Sequence, residues 1–128
     1  MRWIGVFAVL AMMVVVLEDL LGPDRLGHAA ASTAAQSYIA EGANMREERG
    51  RALYVVELVD RQLAAIEPGA EATYDTMSMQ IDPDLSARFK VALMEDALQG
   101  AIVPEDHQFD VSDILHQMRD TAMARLKE

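Results

Sequence analysis

The chain contains no cysteine, so neither disulfide bonds nor thiol chemistry are available to it. It also has no glycine-rich phosphate-binding loop and no nucleophile elbow. Its three histidines are His28, His107 and His116, and their wide spacing excludes the HxxxH and HExxH patterns of zinc sites. We therefore expect that the protein is not an enzyme, and we assign it no catalytic residue, no resident metal and no cofactor.

Basic residues are scarce. The chain has 11 lysine and arginine residues against 21 aspartate and glutamate residues, which gives a formal net charge of −10 at pH 7. Residues 22–128 contain 19 acidic and 10 basic side chains, so this part alone carries a charge near −9. Such a charge repels nucleic acid phosphates and anionic lipid headgroups alike. The composition therefore argues against nucleic acid as a partner.

One long hydrophobic run is present at residues 3–17, with the sequence WIGVFAVLAMMVVVL. As a helix it would extend about 22 Å, and two further leucines bring the apolar stretch close to the roughly 17–20 residues that cross a bilayer. Glu18 and Asp19 would then lie in the headgroup region, and Trp3 at the opposite interface. Residues 1–22 are therefore predicted to form a transmembrane signal-anchor helix in the lipid bilayer.

Two other interpretations of this run remain open. The first is a cleaved secretory signal peptide, with small residues for cleavage at Ala29-Ala30-Ala31. That site follows the apolar run at a distance of twelve residues with three acidic residues between, whereas cleavage sites normally lie much closer. The second is a helix buried in a soluble domain, but a helix that is apolar on every face needs neighbours on every face. The rest of the chain predicts too few helices to provide them.

The orientation in the membrane follows from the basic residues close to the run. Arg2 and the terminal amine lie before it, and Arg25 is the nearest basic residue after it. This slight asymmetry favours an N-terminus inside and a C-terminal domain outside. In a bacterium, the predicted location is the inner membrane, single-pass, with a periplasmic domain.

Residues 23–44 are rich in alanine and include the sequence AAASTAAQ. Alanine favours a helix, but this segment has almost no large apolar side chain to bury. We therefore predict a linker or loosely helical stalk between the membrane and the domain.

Residues 45–66 have the pattern of an amphipathic helix. Five apolar residues follow one another at heptad-type spacing: Ala52, Val56, Val59, Leu63 and Ile66. Further apolar residues beside this stripe give the helix more apolar surface than one neighbour would cover. The excess indicates either an exposed face for protein contacts or a helix at the centre of its own bundle. On the first interpretation, the partner-binding residues are Trp3, Val55, Val56, Val59 and Leu63.

Two more helices are predicted after this one. Residues 70–81 include apolar residues at the strand period, but no partner strand is predicted, so we expect an extended loop. Asp82-Pro83 predicts the start of a helix, and Asp110 with Asp113 predicts the cap of the last helix. The predicted fold class is all-α, with a transmembrane helix, an Ala-rich stalk, and a small three-helix domain at 45–128.

Methionine is abundant, with nine residues. Thioether and imidazole ligands together suit Cu(I), and the candidate set is Met77, Met79, His107, His116 and Met118. The same methionines would equally well fill irregular gaps in a core.

The first functional hypothesis is a non-catalytic, membrane-anchored accessory or assembly subunit. It would dock through helix–helix contacts on a larger membrane protein complex or on its own copies. The alternative is an exported Cu(I)-binding module that uses methionine and histidine ligands.

Overall fold

The computed structural model describes residues 23–41, 47–98, 100 and 103–128. Four α-helices make up most of these residues: α1 (Pro23–Glu41), α2 (Glu48–Ala65), α3 (Pro83–Leu98) and α4 (Val111–Leu126). The predicted all-α class is confirmed. The predicted membrane helix at 1–22 lies outside the described residues. None of the helices that are described combines the length and the apolar character that a bilayer crossing needs.

Helix α1 corrects the prediction of a stalk. One of its faces is buried along its whole length: Leu26, Gly27, Ala30, Ala31, Ala34, Ala35, Tyr38 and Ile39. It packs against all three of the other helices. The small alanine side chains between Leu26 and Tyr38 let these neighbours approach closely, so that a segment with few large apolar residues is buried. Within the described residues, α1 is therefore part of the domain, which has four helices there rather than the three predicted.

A minimal sheet joins two distant parts of the chain. Strand β1 (Glu71–Ala72) pairs antiparallel with β2 (Phe109–Asp110), with Glu71 opposite Asp110 and Ala72 opposite Phe109. The inward pair is buried and the outward pair is exposed. The expectation that this region has no partner strand was therefore wrong. Met77–Met79 forms a single 3₁₀ turn rather than extended chain.

The helix caps were predicted correctly. The Asp82 carboxylate accepts hydrogen bonds from the backbone N–H groups of Asp84 and Leu85, each at 3.1 Å. The Asp110 carboxylate accepts one from the N–H of Asp113 at 3.3 Å. These bonds satisfy donors that a helix start leaves free, which is why the sequence signals mark the starts of α3 and α4 well.

The helix directions follow from contacts along α1. Gly27 lies close to Ile114 and Ser32 close to Thr121, so α4 runs parallel to α1. Arg88, near the start of α3, contacts Glu41 at the end of α1, so α3 runs antiparallel. Residues that contact α3 and residues that contact α4 lie on opposite sides of α1. The three helices thus form a layer with α1 in the middle and one face of α1 outward.

The other face of α1 lies on the core. Phe109 is buried, and its ring meets Phe89 edge-on at 5.4 Å between centroids. His107 lies against the same ring at 4.7 Å. A Cβ on Gly27 would lie 2.7 Å from two carbons of this ring. Glycine at this position therefore allows β2 to pack directly against the backbone of α1.

Candidate docking surface

The residues that the sequence pattern assigned to partner binding are mostly in the core. Val55 and Val59 have no exposed surface, Val56 is 8% exposed, and Leu63 packs half-buried against the same core. Trp3 lies outside the described residues. The three valines therefore offer no free surface in the folded domain, which agrees with the second interpretation of this helix, a position inside its own bundle.

The candidate Cu(I) ligands are not presented together. Met77 and Met118 are completely buried, whereas Met79, in the same turn as Met77, is 82% exposed. Methionine side chains that differ so much in exposure do not face one shared metal position. His116 is exposed, and His107 is paired with Asp24, with 3.0 Å between Nε2 and Oδ1. Among the residues that the structure describes, no group of three or more His, Asp or Glu side chains is placed to hold a metal ion.

An exposed strip of residues lies along the outward face of α1. Its exposed residues follow one another four, three and four positions apart: Ala29, Thr33, Gln36 and Ala40. With about 1.5 Å of rise per residue, this strip extends about 16 Å. Three of its four side chains are short, and a recess lies on each side of it, one toward α4 and one toward α3. The strip and these two recesses together are here called the outer groove, with the strip as its floor and α3 and α4 as its walls.

The α4 wall of the outer groove is polar. The space between α1 and α4 has a volume of about 570 Å³. The Thr121 hydroxyl lies 3.0 Å from the Ser32 hydroxyl and 2.9 Å from the backbone oxygen of Gln117. Ala124 leaves room opposite Ala40. This side can accept a neighbour that forms hydrogen bonds at short range.

The α3 wall is more apolar. The space between α1 and α3 has a volume of about 380 Å³, and Ala87, Val91 and Ala92 contribute to its lining. Val91 is 56% exposed and Met94, on the same outer face of α3, is 51% exposed. They are two of the four large apolar residues exposed in the described part of the chain; the others are Leu53 and Met79. The groove thus has an apolar side that the described part of the chain leaves exposed.

Carboxylates dominate the charge around the outer groove. Six line the two spaces: Glu41, Glu48, Asp84, Glu95, Asp120 and Glu128. Only two cations line them, Arg88 and Arg125, which gives these residues a net charge of −4. Both arginines are already paired with carboxylates: Arg88 with Asp84 and with Glu41 of α1, and Arg125 with Glu128 and with Glu48 of α2.

Two wall carboxylates lie apart from these pairs. Glu95 and Asp120 are exposed, and within the described residues neither forms a hydrogen bond or an ion pair. They lie on opposite walls, Glu95 on α3 and Asp120 on α4. The groove therefore has unneutralised negative charge on both sides of its floor.

The spacing of the strip residues was a sequence signal for this surface, but their low hydropathy made it easy to miss. The strip residues have heptad-type spacing, but they are alanine, threonine and glutamine, so they resemble a solvated helix face. Only the position of α1 between two other helices makes the strip a groove. Comparison with protein families, with curated proteins and with solved structures finds no match to this chain.

Proposed function

We propose that this chain is a non-catalytic accessory or assembly subunit that docks through helix–helix contacts on a larger membrane protein complex. The outer groove is the observation that carries the proposal. A helix face with mostly short side chains, flanked by two walls and left uncovered by the other described residues, has the form of a seat for a further helix. Packed helices lie about 8–10 Å apart, depending on the side chains at the contact, and short side chains allow the closer approach.

The apolar run at 3–17 is the proposed membrane anchor. One residue separates the apolar stretch from Pro23, where α1 begins. If residues 1–22 cross the bilayer, the start of α1 lies at the membrane surface. The strip begins six residues later, at Ala29, or about 9 Å along the helix. The groove would then face the first turns of a partner helix as it leaves the same membrane.

The remaining parts of the proposal concern location and alternatives. We propose a single-pass protein of the bacterial inner membrane with its domain on the periplasmic side. A homo-oligomer is the second form of the same proposal, with the groove filled by another copy. The Cu(I) module draws no support from the placement of Met77, Met79 and Met118, and we expect Cu(I) to bind no more tightly than to a Met-to-Leu variant.

Native extraction tests the proposal. The protein is extracted in a mild detergent, sized, and its companions are identified by mass spectrometry. We expect a defined assembly larger than the single chain, with the segment Met1–Leu21 intact. A lone chain of the size of one protomer would contradict the subunit proposal. A chain that begins near Ser32 would contradict the anchor.

A further inference from the structure

The charges around the outer groove distinguish between its conceivable occupants. The residues that line the outer groove carry a net charge of −4, and the whole chain −10. A second copy would bring the same negative charge to the groove, and an anionic membrane would bring phosphates. Like charges placed face to face lower affinity and slow association. An occupant with positive charge gains from the same field.

We infer that the outer groove binds a basic amphipathic helix of a partner protein. This inference rests on the proposed function and specifies its partner. The partner helix places small and apolar residues on the floor of α1 and against Val91. Its lysine or arginine residues extend to both sides, where Glu95 and Asp120 lie without partners of their own.

The dimensions agree with a helix of a few turns. The strip from Ala29 to Ala40 covers about three turns, and neither wall closes over it. A bulky side chain on the floor would hold the partner's backbone beyond the usual interaxial distance of about 8–10 Å. The floor is therefore the most sensitive place for a steric test, and its residues are exposed, so that a large side chain there does not enter the core.

Charge and contact should make separable contributions to binding. Exposed ion pairs are each worth little and are screened by salt. We therefore expect that neutralising Glu95 and Asp120 together weakens binding about three- to tenfold at low ionic strength, with a smaller effect at high salt. Contact on the floor is less dependent on salt. Blocking it should weaken binding about tenfold or more at both ionic strengths.

The test uses the full chain in a non-ionic detergent and a designed peptide of about four helical turns. The peptide has alanine and leucine on one face and lysine on both flanks, and a second peptide has glutamate in place of every lysine. Binding is followed by fluorescence anisotropy at two salt concentrations. The steric variants are Thr33→Trp and Ala40→Trp, and the matched control is Ala64→Trp, which alters an exposed alanine of α2. Circular dichroism checks that each variant is folded.

The charge variant is Glu95→Gln with Asp120→Asn. Its control is Glu57→Gln with Asp106→Asn, which removes the same charge from exposed positions that do not line the groove. We expect the lysine peptide to bind, the groove variants to bind less, and both controls to bind like the unaltered chain. Equal losses in controls and groove variants would mean general charge attraction and would overturn the inference.

Three further outcomes would also overturn it. In the first, the glutamate peptide binds as tightly as the lysine peptide. In the second, the chain associates with itself and Thr33→Trp abolishes this association. In the third, the chain binds phosphatidylglycerol vesicles and Thr33→Trp abolishes this binding. Native extraction of the Thr33→Trp variant separates this inference from the proposed function. If the native assembly persists in that variant, the subunit proposal stands and the groove is not the contact. If the unaltered chain is found alone, the subunit proposal itself fails.

Discussion

Replacement of Gly27 by alanine is a sharp test of the packing between α1 and β2. The new Cβ would lie 2.7 Å from Cδ1 and Cε1 of Phe109 and 3.5 Å from Ile114. Carbon atoms at 2.7 Å overlap, so either the ring or the helix must move. The ring is 1% exposed and is held by Phe89 on one side and His107 on another. Little space is available for it to move into.

Two effects of opposite sign determine the size of the change. Alanine in place of glycine within a helix stabilises the folded state by about 0.5–1 kcal/mol. Overpacking a filled core costs about 1–3 kcal/mol. We expect the second to be larger, with a net loss of about 1–2 kcal/mol in the free energy of unfolding. For a domain of this size the loss corresponds to a fall in Tm of roughly 4–12 °C.

The assay is thermal unfolding of the full chain in a mild detergent, followed by circular dichroism. Phe109→Leu provides the control, because a smaller side chain leaves room for the new methyl group. The double variant should therefore lose less stability than the sum of the two single variants, by about 0.5 kcal/mol or more. A Gly27→Ala variant that is as stable as the unaltered chain would falsify this account of the contact. Strict additivity in the double variant would count against it as well.

Three further changes test the fold. Asp82→Ala removes the acceptor for two backbone N–H groups at the start of α3. It should lower the free energy of unfolding, measured in urea, by about 1 kcal/mol, and Asp82→Asn should lower it less. Met77→Ala should lower the free energy of unfolding by about 2–5 kcal/mol because the side chain is fully buried. Met79→Ala should lower it by less than about 0.5 kcal/mol because that side chain is 82% exposed. Equal losses in the two variants would contradict the burial of Met77. The hydrogen bond and charge of Asp75 raise the pKa of Lys90 above its usual 10.5. Their stabilising effect is therefore present below pH 10.5 and lost as the pH rises through the raised pKa, and Asp75→Asn should lower this pKa in an NMR titration.

The ends of the helices could be predicted from the sequence because local chemistry determines them. Asp82 and Asp110 each cap a helix within three residues of their own position, and no distant part of the chain is needed for the bond. The spacing of the valines in α2 likewise indicated that this helix has two apolar faces. It did not indicate which of the two would be covered by the protein itself.

The role of α1 could not be predicted in the same way. Its alanines have small side chains, and its neighbours are distant in sequence: Phe109, which lies against Gly27, is about eighty residues away. The pairing of β1 with β2 also joins residues that are far apart in sequence. It could not be predicted from periodicity, because two residues on each strand are too few to give a period. The outer groove depends on α1 lying between α3 and α4, so the sequence pattern alone did not reveal it.

The short sheet also sets the rotation of the last helix. Asp110 is both the final residue of β2 and the cap of α4, and the N–H of Val111 donates to the carbonyl oxygen of Ala70 at 3.0 Å. A slip of one residue in this pairing would turn the following helix by about 100° about its axis. Ile114 would then leave the interior, and the wall that carries Asp120 would turn away from α1. The register of four paired residues and the burial of one face of this sixteen-residue helix are thus consistent with the same rotation, the one that places Asp120 beside the groove.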